Sequence, residues 1–315
     1  MSSPVPAPAP IPTPTDVEGE TVVGEQAESP WRRFLSDFFE SRIAVAGLVV
    51  FVFLILAALF APYVTPQNPY DLMQISIMDG RLPPGTQGEM IHYWLGTDDQ
   101  GRDMLSGIFY GLRTSLGVGA ASTVIALFIG GAIGLIAAYF GGRVDAMIMR
   151  VADLQLSFPA ILIALILVSI LGQGVEKIII ALVAVQWAYY ARTIRGTALV
   201  ERRKEYVEAA TCLALSHRRI VFRHLLPNCT PPLIVVGTVQ VAHAISLEAT
   251  LSFLGIGLPI TEPSLGLLIK NGFDYMLSGD YWISFYPGVA LLITIVSINL
   301  VGDQLRDVLN PRLKR

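Results

Sequence analysis

The chain has 315 residues, of which 53% are hydrophobic and 15% charged, whereas an ordinary soluble domain carries about 25% charged residues. The net charge of −3 arises in the first thirty residues, which hold Asp16, Glu18, Glu20, Glu25 and Glu28 and no Lys or Arg, so the rest of the chain is at +2. This excludes a soluble cytosolic enzyme and the basic field of a nucleic-acid binder. Apolar runs approaching the ~20 residues that cross a ~30 Å hydrocarbon core instead indicate an all-α polytopic membrane protein.

In chain order, residues 1–30 place proline at every second position from Pro4 to Pro14. With φ fixed and little apolar surface to bury, they are expected to form a disordered cytosolic tail. The tail lacks a basic start followed by an apolar stretch and a small-residue cleavage site, so the first apolar helix is expected to remain as an anchor. Six spans follow, at residues 43–64, 116–140, 154–171, 178–191, 231–253 and 281–302. The third is slightly short. The fourth has only 14 uncharged residues between Lys177 and Arg192, about 21 Å of helix; its small residues and Gln186 predict a position among other helices. This divides the chain into the tail, an N-terminal region at 31–112 with the first span and its outer loop, a core at 113–303, and a C-terminal tail at 304–315.

The segment 65–115 is rich in Pro, Gly and Asp, and is expected to be an ordered extracytoplasmic loop. At its end Met104, Leu105, Ile108, Phe109 and Leu112 repeat at helical spacing, which predicts an interfacial helix leading into the second span. In that span Gly130, Gly131 and Gly134 permit close approach of another helix. With the N-terminus inside, 17 of the 22 Lys and Arg residues fall on the cytosolic side and five (Arg81, Arg102, Arg113, Lys177, Lys270) outside. That is the positive-inside bias, and both termini are expected in the cytosol. Cys212 and Cys229 then lie where thiols stay reduced, and no disulfide framework or metal set is implied.

About 40 residues of dense sequence, from Arg192 to Thr230, separate the fourth and fifth spans. They read as one helix, a break, and a second short helix that begins at an N-cap Ser216 and is stopped by Pro227. The second helix mixes Ile220, Val221, Leu225 and Leu226 with Arg218, Arg219 and Arg223, a pattern suited to insertion into a groove on a protein. Tyr206, Glu208-Ala209-Ala210, Ala214, Arg219, His224 and Leu226-Pro227 resemble the EAA loop of binding-protein-dependent ABC importer permeases. The usual glycine is Ala214 here and the usual isoleucine is His224. An alanine at that turn means either that a strongly positive φ is not required or that the site is slightly strained.

Further stretches carry the same resemblance: His92 to Ser106, Tyr110 to Ser115, Gly141 to Pro159, and Leu247 to Gly255 are similar to C-type permeases of the dipeptide, oligopeptide and nickel importers. The resemblance runs from about Trp31 to the C-terminus. It implies a type-1 permease core in a bacterial inner membrane, pairing with a homologous second permease, two cytosolic ATPase subunits that bind ATP and Mg, and an extracytoplasmic solute-binding protein. The solute it implies is a di- or oligopeptide, with nickel or another small solute as the alternative. The EAA loop would be the element that couples to the ATPase. The chain itself has no phosphate-binding GxxxxGK[ST] loop, so no cofactor is expected on it, and it is expected to be no enzyme.

In the fifth span Gln240, His243, Ser246 and Thr250 fall within about 120° of a helical wheel. With Gln186 they form a candidate solute path, or hydrogen bonds between helices. One histidine without a second on the same face is a weak metal ligand. Glu248 lies off this stripe near the outer end of the span and is expected to pair with a basic or backbone group at an outer gate. Asp98, Arg102 and Asp103 lack the convergent groups of a catalytic set and are assigned to contact with the partner permease or the binding protein. A gradient-driven carrier, the competing class, is expected to show inverted repeats or paired membrane carboxylates, and only Glu248 is of that kind.

Overall fold

The computed structural model describes residues 30–89 and 91–309; the tail expected to be disordered and residues 310–315 lie outside the described residues. A short helix α1 (Pro30–Glu40) leads to α2 (Arg42–Leu59), whose N-terminus is capped by the Ser41 hydroxyl accepting from the Ala44 N–H at 3.3 Å. One further turn, α3 (Ala61–Val64), carries the chain into the loop at residues 65–103. The loop is folded on a two-strand hairpin, β1 (Thr86–Gln87) against β2 (His92–Tyr93), with Thr86 opposite Tyr93.

Helix α4 (Met104–Phe140) is one unbroken rod of 37 residues, about 55 Å long. The expected interfacial helix is therefore the first three turns of this rod. Met104, Ile108 and Leu112 are buried against α2 and against Leu265, Leu268, Trp282 and Tyr286 from much later in the chain, instead of lying in a lipid interface. Asp103 starts the helix by accepting from the Ser106 N–H at 2.8 Å, and Gly141, at φ 65°, ends it.

The third expected span is also revised. Residues 142–156 form a separate helix, α5 (Gly142–Leu156), set at 91° to α6 (Ala160–Leu171). Pro159 lies at the corner; the residue before a proline is driven out of the α region, so the helix cannot run through. Helix α7 (Val175–Glu201) carries the fourth expected span, and its Ile178, Ala181, Leu182, Ala188 and Ala191 have no solvent exposure. It is the central helix of the bundle, as its small residues and Gln186 foretold. Two glycines of α4 seat it: a Cβ at Gly130 would collide with the Trp187 carbonyl, and one at Gly134 with the Ala191 carbonyl.

Helix α8 (Glu205–Cys212) and a turn at residues 213–216 precede α9 (His217–Arg219), a π-helical stretch at Ile220–Leu225, and α10 (Leu226–Phe253). The short helix α11 (Leu265–Phe273) and the last span α12 (Trp282–Leu309) close the bundle. Among the described residues, four helical runs are long and apolar enough to cross a membrane by themselves: Arg42–Leu59, Met104–Phe140, His217–Phe253 and Trp282–Leu309. The bent α5–α6 pair is a fifth candidate. The six expected spans thus resolve into four plain crossings, a bent pair, and the buried α7.

Candidate functional site

The segment from Glu201 to Asn228 is built around α8. Val207 and Ala210, three residues apart, share a face of the helix and are buried with Leu135, Ile194, Ile220 and Leu225. The opposite face is exposed, with Glu208 and Ala209 in solvent. Among the described residues Glu208 has no ion pair. Sequence spacing therefore separates an anchoring side from a free acidic side within one short helix.

Tyr206 ties this helix to its neighbours. Its hydroxyl donates to Glu201 Oε2 at 2.8 Å and accepts from Asn228 Nδ2 at 3.2 Å; Asn228 Nδ2 also donates to the His224 carbonyl at 2.7 Å. Burial, with the Glu201 carboxylate beside it, pushes the Tyr206 hydroxyl up to about 12, so it remains a donor at any physiological pH. The network joins the end of α7, α8 and the start of α10. Glu201 and Asn228 carried no signal in the sequence, because neither stands at a helical spacing from Tyr206, the residue that joins them.

The turn after α8 places Ala214 at φ 52°, in the left-handed region. Of the two alternatives left open by the sequence, the strained one holds. The left-handed conformation costs a residue with a Cβ about 1–2 kcal/mol, part of which a glycine would give back through its freer unfolded chain. Ala214→Gly is therefore expected to stabilise the segment by about 0.5–1 kcal/mol. Thermal unfolding of the purified protein checks this, and an unchanged or lowered midpoint would contradict it.

Ser216 occupies the N-cap position but its side chain makes no capping bond. Pro227 does not stop a helix either: it lies in the first turn of α10, where the missing N–H costs little, and the π-helical turn before it lets the helix continue from His217 to Phe253. Arg219 and Pro227 are exposed, and His224 and Leu226 half-buried. The surrounding helix ends are cross-braced. Arg202 donates to the Ala138 and Tyr139 carbonyls at 3.1 and 2.8 Å, closing the end of α4. Arg195 bonds both oxygens of Asp145, at 3.0 and 2.6 Å, fixing α5 to α7.

On α10, Gln240 and His243 are buried and half-buried, and Ser246 and Thr250 are exposed along one face of the chain. Gln186 donates to the Gln240 carbonyl at 3.2 Å and accepts from Thr123 at 3.5 Å, so it serves as a link between helices. Gln240 Nε2 and His243 Nδ1 have no hydrogen-bond partner among the described residues. The structure thus parts the stripe: Gln186 and Gln240 lie inside the bundle, His243 is half-buried, and only Ser246 and Thr250 stand on an exposed face of α10. Among the described residues no His, Cys, Asp and Glu group is arranged to hold a metal ion.

Glu248 is fully buried. Its carboxyl accepts from Ser115 of α4 at 2.7 Å and Ser252 at 2.8 Å, with Ser264, the N-cap of α11, beside it. The expected basic or backbone partner is replaced by hydroxyls from three elements, which makes Glu248 an internal fastening between α4, α10 and the start of α11.

Asp98 and Asp103 are likewise fully buried, and Arg102 nearly so. Asp98 Oδ1 accepts from the N–H groups of Gln100 and Arg102, both at 2.9 Å; Asp103 accepts from Ser106, and Arg102 donates to Gln100 Oε1 at 2.6 Å. Side chains without exposure do not meet another protein, so the assignment of the two acids to partner contact is corrected to ordering the loop. Trp282 Nε1 donates to the Thr97 carbonyl at 3.2 Å and holds this loop on α12.

Burial raises the Asp98 carboxyl from 3.8 to about 6 against the opposing pull of Arg102, and pushes Asp103 up as well. Between 3.8 and 6 the folded loop keeps a proton that the unfolded chain has released, so this contribution to stability is present at low pH and lost as pH rises through that window. Cleavage of the 65–103 loop by an added protease is expected to be slower at pH 5 than at pH 7.5, with Asp98→Asn, which stays neutral, flattening the difference. Equal pH dependence in the variant would contradict it.

Residues 130–315 match the family described as binding-protein-dependent transport system inner membrane component, and residues 29–84 match the N-terminal TM domain of oligopeptide transport permease C. A putative peptide transport system permease protein of Brucella suis is 42% identical, covering 85% of this chain and 87% of its own. The di/tripeptide transport system permease protein DppC of Pseudomonas aeruginosa is 36% identical over 91% and 93%, and the oligopeptide transport system permease protein OppC of Bacillus subtilis 34% over 93% of each. An inward-facing structure of the MetNI methionine ABC transporter superposes with a TM-score of 0.54 at 20% identity, over 66% of this chain and 98% of that one. The helical bundle has the fold of an ABC importer permease, and the chain belongs to the family of binding-protein-dependent inner-membrane transport components.

Proposed function

We propose that this permease imports di- or oligopeptides, delivered by an extracytoplasmic binding protein, by alternating access between two conformations. The similarity to permeases named for di/tripeptide and oligopeptide transport over nine-tenths of the chain supports the solute class. The observation that carries the coupling mechanism is the α8 segment, anchored by Val207 and Ala210 and exposing Glu208. Through Tyr206 and Asn228 a displacement of α8 is passed directly to α7 and α10, which carry Gln186 and the polar face at Gln240 to Thr250. ATP with Mg acts on two separate cytosolic ATPase subunits, and a second permease chain completes the pathway. The ATPase shifts the equilibrium only if its nucleotide states bind the two conformations with different affinity. Both termini lie in the cytosol, in line with the basic residues that cluster between α7 and α10.

The test is uptake of labelled di- and tripeptides by cells with and without this chain. Loss of peptide uptake on deletion, restored by the plasmid-borne chain, supports the reading. Unchanged peptide uptake together with lost nickel uptake moves the solute to the metal branch.

A further inference from the structure

Between the second half of α4 and the His217-to-Ile234 run lies a groove of about 650 Å³. It faces outward from the bundle. Its floor is Leu135 and Leu233, both buried, and its lips are Phe128, Phe140 and Phe222, exposed at 69, 69 and 61%. Nearly all of its walls are apolar. Along α4 it runs from Leu127 to Phe140, about 20 Å, close to the ~15 Å that one leaflet contributes to the hydrocarbon core. A groove that follows one leaflet and ends near its surface has the shape of an acyl chain.

The end of the groove supplies the second argument. Arg218 and His217 stand there, both exposed. Among the described residues Arg218 forms no ion pair, and Arg219 is next to it in the chain. His217 is held by the Tyr139 hydroxyl. Glu208, an acid of this segment, does not line the groove but a separate hollow that also borders Tyr139 and His217. An apolar slot that terminates in unneutralised positive charge is complementary to a lipid with a negative headgroup.

We propose that the groove binds an anionic phospholipid of the cytosolic leaflet, its acyl chain between α4 and α10 and its phosphate against Arg218. The assignment of leaflet rests on the orientation argued above; the binding itself does not. Because Arg218, Val221 and Phe222 belong to the segment that follows the EAA-like turn, the lipid would brace that segment against α4.

The test uses the chain assembled with the other subunits of its transporter, in vesicles of phosphatidylcholine with brominated phosphatidylcholine or brominated phosphatidylglycerol. Phe222→Trp places a fluorophore on the groove's lip, and the parent protein gives the background from the native tryptophans. Brominated phosphatidylglycerol is expected to quench the new tryptophan at lower mole fraction than the brominated neutral lipid. Arg218→Gln is expected to reduce that preference on the order of fivefold, and high salt to shrink it in the parent. Brominated lipid is present in both leaflets, so a reversed orientation would not change the result. Equal quenching by the two lipids overturns the proposal, as does quenching by neither, which would mean that a protein segment fills the groove.

Discussion

Glu208→Lys is expected to leave the chain in the membrane at its normal level while lowering binding-protein-stimulated ATP hydrolysis and solute uptake by tenfold or more. The residue stands on the exposed side of α8, opposite the buried Val207 and Ala210, and has no ion pair among the described residues. Its substitution therefore removes nothing that holds the fold. Reversal of its charge acts only on whatever docks against that face; removing one member of a charge pair at an interface typically costs 2–5 kcal/mol, and tenfold corresponds to about 1.4 kcal/mol. Two comparisons isolate the effect. Glu205→Lys, one turn earlier and also exposed, is expected to be milder, and Val207→Asp, which buries a charge, is expected to lower the amount of protein. Full stimulated activity in Glu208→Lys would remove α8 from the coupling mechanism.

How much of this was legible beforehand follows from the range of the interaction concerned. The spans, the central position of α7 and the close-packed glycines of α4 are properties of local composition, and were readable because lipid forces uncharged runs and small residues into sequence. The EAA-like segment was readable because its two faces alternate within eight residues. What escaped depends on contacts distant in the chain. Pro227 reads as a stop, yet a π-helical turn preceding it allows the helix to continue. Met104 to Leu112 read as an interfacial face, yet α11 and α12, more than 150 residues away, cover it. Asp98 and Asp103 read as acids for contact with a partner, yet both are buried and accept from N–H groups of the loop and of the first turn of α4. The Glu201–Tyr206–Asn228 network joins three elements and has no periodic trace in any one of them.

The α4–α7 crossing sets the largest expected loss of stability. At Gly134 a Cβ would lie 2.7 Å from the Ala191 Cα and would overlap the Ala191 carbonyl and Ile194 Cγ2. Backbone atoms of a buried helix cannot rotate aside as the end of a flexible side chain can, so the helices must move apart along their contact. Overpacking of this sort costs about 1–3 kcal/mol, occasionally more, and in lipid no hydrophobic gain offsets it because the tails are as apolar as the side chains. Gly134→Val, with two further methyl groups, is expected to lower the unfolding midpoint of the purified protein by several degrees and to cut the folded yield sharply; Gly134→Ala should fall between. Gly117, on the same helix, has nothing within 4 Å of an added Cβ. Gly117→Ala is therefore expected to be neutral or to gain up to about 1 kcal/mol from helix propensity. If both alanine variants lose the same amount, the cost belongs to glycine content in α4 generally, and the close seat of α7 on Gly134 does not hold the bundle together.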